Sequence, residues 1–149
     1  MMLDFNHDSE QTPTLCLSAV QKYGMALQFV MWDLRGPEIC LAAVQQDWVA
    51  IAFVPRKILT PTICMAAVTQ EGRSISHIPS SVVTHEICMA AVTQNGLALE
   101  FVRYSMRTPD VCLAAVQQNG SALQFVDESM RTRELCAAAE KVIGSTDSR

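Results

Sequence analysis

Aromatic side chains make up only 6% of the 149 residues, so any core must be built from small and branched aliphatic groups. Basic residues are few as well: 11 Lys and Arg stand against 15 Asp and Glu, for a net charge of -4. A chain whose task is to grip phosphates is normally basic, so neither nucleic acid nor an anionic membrane surface is the expected partner. Long hydrophobic runs are absent. The longest, WVAIAFV at 48–54, is far too short to cross a bilayer. The opening MMLDFNHDSEQ is acidic and polar where a secretory signal would be basic and then apolar. A cytoplasmic protein is therefore expected, in a bacterial cell or, for an effector, in host cytosol. Histidine is limited to His7, His77 and His85. No C-x-x-C and no His beside a Cys offers a metal site, and there is no G-x-S-x-G elbow or phosphate loop. No cofactor and no catalytic residues are expected.

Against these absences stands a repeat. Cysteine recurs at 16, 40, 64, 88, 112 and 136, always 24 residues apart, and the surrounding text recurs with it. The units run 13–36, 37–60, 61–84, 85–108 and 109–132, with a truncated sixth from 133. Such a fixed period points to a solenoid. Thr12, Thr60 and Thr108 precede prolines, as an N-cap precedes the first helical position, and Glu38, Glu86, Asp110 and Glu134 favour the positive helix end. Glycines at 24, 72, 96, 120 and 144 are expected to end each helix in the left-handed conformation. The following ALQFV-like phrase has the apolar spacing of a short helix rather than the alternation of a strand. A helix of about ten residues is marginal alone. Each must lean on the next, so the expected fold is all-α: a right-handed-type α-solenoid of five and a half repeats, each an α-helix plus a short α or 3₁₀ helix. Residues 1–11 are expected as a leader or cap, in which Leu3 and Phe5 could cover the first unit. Residues 12–144 are expected as one repeat domain and 145–149 as a flexible tail. Glu140 and Lys141 suit a polar end cap, and a monomer or an end-to-end homodimer is expected.

In that stack Cys16, Cys40, Cys64, Cys88, Cys112 and Cys136 face the packed seam beside Ala19, Ala43, Ala67, Ala91, Ala115 and Ala139. Packed helices lie about 8–10 Å apart, whereas a disulfide needs Cα atoms within about 7 Å. The cysteines are expected as structural, reduced thiols. Two other readings have them as metal ligands, or as a redox or nucleophilic thiol with Cys64 or Cys88 near His77.

The phrases TPDVCLAAVQQNGSALQFV and HEICMAAVTQNGLALEFV resemble a 24-residue helical repeat family of bacteria and some giant viruses, domain of unknown function 4116. The resemblance runs over residues 12–144. It implies helical repeats and carries no reaction, so no catalytic residue transfers from it. A weaker likeness is to the leucine-rich repeat variant, which implies alternating α and 3₁₀ helices. Repeats 2 and 3 depart most from the pattern: Asp47-Trp48 replaces the glycine stop in one, and His77 and His85 replace Phe and Pro in the other.

Scaffold positions recur between units, so recognition is sought where units differ. The residue after the glycine varies, and so does the three-residue segment after FV. Trp32, Arg56 and Tyr104 share one slot there and are residue types that dominate interface hot spots. Trp48, Lys57, Arg73 and Arg103 complete the expected partner-binding set. Arg35 with Glu38, Arg107 with Asp110 and Arg131 with Glu134 are expected as solvated local pairs. The Gln ladder, Gln21, Gln45-Gln46, Gln70, Gln94 and Gln117-Gln118, is expected as a solvated face, although a base-per-repeat RNA reader would use such a ladder too. The expected function is non-enzymatic: a module that docks to a protein partner and inhibits, sequesters or scaffolds it. The specific settings are an anti-CRISPR-like phage or mobile-element inhibitor of a bacterial defence complex, or a secreted effector. An RNA-binding repeat protein and a cysteine-dependent redox or metal protein are the alternatives.

Overall fold

Thr12 accepts the amide of Leu15 on its hydroxyl at 3.2 Å, and Pro13 opens the first α-helix behind it. The computed structural model describes residues 11–146, and this start recurs along it. The helices are α1 (Pro13–Lys22), α2 (Pro37–Gln46), α3 (Pro61–Gln70), α4 (His85–Gln94), α5 (Pro109–Gln118) and α6 (Arg133–Thr146). Thr60, Thr84, Thr108 and Thr132 cap their helices as Thr12 does. Thr84 and Thr132 do so without a proline behind them. A cap of this kind contributes about 1 kcal/mol. The expectations for Leu3, Phe5 and His7, and for the last residues of the tail, lie outside the described residues.

The helix ends differ from the expected left-handed stop. Among the described residues no glycine, and no other residue, has positive φ. α1, α2, α4 and α5 instead end on an extended residue whose amide returns to an alanine carbonyl: Tyr23 to Ala19, Asp47 to Ala43, Asn95 to Ala91, Asn119 to Ala115. A six-residue 3₁₀ helix follows at once: Gly24–Phe29, Trp48–Phe53, Gly72–His77, Gly96–Phe101 and Gly120–Phe125. The extended residue starts it, because the side chains of Asp47, Glu71, Asn95 and Asn119 accept the amide two residues on. The Asn of the QNG phrase thus opens the second helix.

The segment after FV, expected as loop, is a further 3₁₀ turn at Trp32–Leu34, Arg56–Ile58, Tyr104–Met106 and Glu128–Met130. Repeat 3 has a plain turn at 80–82, closed by the amide of Val82 on Pro79 O. Repeat 2 keeps the regular pattern despite Trp48. No strand occurs among the described residues, so the ALQFV phrases are helical, with 3₁₀ pitch.

Two compact units divide within α3, between Ala67 and Val68. In the first, α2 packs on α1 and on the 3₁₀ helix of the first repeat. In the second, α4, α5 and α6 pack in chain order, each with its neighbours' 3₁₀ segments. This is the all-helical repeat stacking that the period demands. The buried helix face is one short patch per repeat, as in Ile39, Cys40, Ala43 and Val44. The 3₁₀ helix adds another, as in Ala98, Leu99 and Val102. Burying one such Ile or Val contributes about 1.5–3 kcal/mol, and only stacking achieves it for helices this short. α6 differs from its predecessors. It runs fourteen residues through Gly144, where a stop was expected. Ile143 stands where repeats 2 to 5 place Asp47, Glu71, Asn95 and Asn119, and it offers no side-chain acceptor of that kind. Glu140 and Lys141 lie on its exposed side.

Candidate functional site

In each unit the 3₁₀ segments carry the variable residues, and two sets of hydrogen bonds hold those segments in place. In the first, the amide of the repeat glycine donates to a glutamine one repeat on: Gly24 to Gln46, Gly72 to Gln94 and Gly96 to Gln118, each with 2.5 Å to Oε1. Gln94 also donates to Gln70 O. The Gln ladder is therefore not simply a solvated face: these three spend their carbonyls on the preceding repeat. The same approach explains the glycines. A Cβ on Gly24, Gly72 or Gly96 would strike the carbonyl oxygen of Ala43, Ala91 or Ala115, and on Gly120 it would lie 2.6 Å from Ala139 O.

The second set uses arginine. Arg35 donates Nε to Val30 O, Nη1 to Phe53 O and Nη2 to Gln28 O. Arg107 repeats this on Val102, Phe125 and Glu100. Arg131 keeps the first of these bonds, to Val126 O. The guanidinium groups thus serve carbonyls of their own and the next repeat. Among the described residues they make no ion pair with Glu38, Asp110 or Glu134, contrary to expectation, because a fixed fork of donors matches three converging carbonyls better than one exposed carboxylate. Gln11 stands one period before Arg35 and takes its place, donating to Phe29 O and accepting from the Met31 amide. Repeat 3 has Val83 in this position. Arg73 supplies another tie to repeat 4, pairing with Glu100 at 3.7 Å and lying 5.5 Å from the Phe101 ring centre.

On this frame sit the aromatic side chains. The Arg35 guanidinium lies 5.0 Å from the Trp32 ring centre and that of Arg107 lies 4.3 Å from the Tyr104 ring centre. Each ring is backed by a cation that is itself anchored to the backbone. Trp32 remains 58% exposed and Tyr104 76%. Within the first unit Arg56 and Lys57 occupy the slot of Trp32 one repeat on, and both are exposed. Within the second, Arg103 stands beside Tyr104, also exposed. Trp48 and Arg73 belong to a different place, the start of the six-residue 3₁₀ helix. Trp48 is half-buried there, and Arg73 is engaged as described.

Sequence reading missed Phe29 and Phe101, both exposed in these segments. They belong to the recurring FV phrase, so variation between repeats does not single them out. Between repeats 4 and 5 the segments open into a groove of about 390 Å³, lined by Tyr104, Arg107, Phe125, Asp127, Glu128 and Arg131 among others. The amide and hydroxyl of Ser129 hold the Asp127 carboxyl below its ordinary pKa.

The cysteines lie behind the anchoring residues: the Sγ of Cys112 is 3.7 Å from Arg107 O and that of Cys136 4.0 Å from Arg131 O. All six are free thiols; Cys16, Cys40, Cys64, Cys88 and Cys112 are fully buried, and Cys136 is partly so. Burial pushes the thiols of Cys40 and Cys64 up to about 11 and those of Cys16, Cys88 and Cys112 up as well. Among the described residues no three His, Cys, Asp or Glu side chains cluster as metal ligands would. His85 lies 3.3 Å from Asp110 of the next repeat, and His77 ends its 3₁₀ helix at the surface. Among the described residues no helix is long and apolar enough to cross a membrane.

These features define an all-helical repeat protein whose 3₁₀ segments carry the residues that differ between repeats. Residues 84–131, covering repeats 4 and 5, match the family described as Domain of unknown function (DUF4116). The resemblance carried by the repeated phrases is thereby shown over those residues, whereas the weaker likeness to the leucine-rich repeat variant finds no support. No curated protein and no solved structure gives a match to the chain.

Proposed function

We propose that the chain is a non-enzymatic protein-binding module that docks through its exposed 3₁₀ segments and inhibits, sequesters or scaffolds its partner. One observation carries the reading: Trp32 and Tyr104 stand exposed in equivalent positions, each on an arginine tied down by three carbonyl bonds. Exposed Trp and Tyr are the side chains that anchor interfaces. A ring already held in place loses less freedom on binding. The buried, raised-pKa thiols favour a non-enzymatic reading, since the thiolate is the reactive form. The use of Gln46, Gln94 and Gln118 in packing, with the acidic balance, weighs against an RNA reader. A phage or mobile-element inhibitor of a bacterial defence complex is the setting we favour; such a role needs a compact, rigid binding surface and no chemistry.

The test is capture of a partner from bacterial lysate on the immobilised chain, followed by affinity measurement with Trp32→Ala and Tyr104→Ala. At least one variant should weaken binding about tenfold or more while keeping its helical spectrum. Unchanged affinity in both would reject these segments as the site. A strongly salt-dependent shift with single-stranded RNA would replace this reading with the RNA one.

A further inference from the structure

We draw no further inference here: the strongest candidate, the open groove between the 3₁₀ segments of repeats 4 and 5 where Tyr104, Asp127, Glu128 and Arg131 meet, is lined by charges of both signs, and nothing in the structure shows what covers it.

Discussion

The amide of Gly96 donates to Oε1 of Gln118 at 2.5 Å, while the Cβ that Gly96 lacks would strike Ala115 O of that same next repeat. A single position therefore both approaches its neighbour and bonds to it. Gly96→Ala should lower stability by about 1–3 kcal/mol, because the obstacle is backbone and cannot swing aside. Gln118→Ala should cost about 1 kcal/mol through the lost bond. Gly36→Ala is the contrast: a Cβ there meets nothing within 4 Å, so a change within about 0.5 kcal/mol is expected. Urea midpoints of the three variants check the ranking, and a Gly36→Ala loss as large as that of Gly96→Ala would contradict it.

Arg107 spends Nε, Nη1 and Nη2 on three carbonyls, one of them in the next repeat. Arg107→Ala should cost on the order of 2 kcal/mol. Arg107→Lys should recover little of it, since an ammonium cannot reach three acceptors as a fork does. Val83 marks the same position in repeat 3, where the corresponding acceptors would be Ile78 O, Phe101 O and Ser76 O. Val83→Arg should raise stability by about 1 kcal/mol, and should offset the loss in Arg73→Ala. Denaturant unfolding of the single and double variants decides this.

Much of the architecture was readable from the sequence. The period, the threonine caps and the small Cys–Ala face are matters of residue spacing along the chain, and spacing is what a sequence displays. What one repeat does to the next was not readable in the same way. The glycine–glutamine bond spans 22 residues and the arginine–phenylalanine bond 18, neither of them the period. Glycine therefore looked like a left-handed stop, Gln like a solvated residue and Arg like half of an ion pair. Each has a plain local reading, and each is overridden by backbone groups that the folded stack brings within reach, in the neighbouring repeat for Gly and Gln and in both repeats for Arg35 and Arg107. Of the candidate site, the exposure of Trp32 and Tyr104 was legible because they vary in a slot that otherwise repeats. Arg73 and Trp48 stand in a different slot, at the start of the six-residue 3₁₀ helix, and the tie of Arg73 to Glu100 and Phe101 could not be read from variation alone.

Ser74 Oγ is buried and makes no hydrogen bond, in a slot that holds Ala50, Ala98 and Ala122 elsewhere. A buried hydroxyl without a partner carries its desolvation cost uncompensated. Ser74→Ala should therefore stabilise the protein by about 1 kcal/mol, visible as a higher urea midpoint at unchanged slope. A lower midpoint would show that the hydroxyl is satisfied after all.

The buried thiols should weaken the fold in alkali. Burial raises Cys40 and Cys64 from 9.0 to about 11, so between those values the unfolded chain gives up thiol protons that the folded chain retains. Stability from this source is fully present below pH 9.0 and is lost as pH rises towards about 11. Urea midpoints should fall across that window, and Cys40→Ala, although less stable at pH 7, should show a shallower fall. Reactivity should follow burial: Cys136 alkylates first in the native protein and the five fully buried cysteines only as it opens. Mass spectra over a time course of alkylation would show one early adduct followed by the rest. Six adducts accumulating together, with no early single species, would mean that the seam is open to solvent and the stacked core is wrongly drawn.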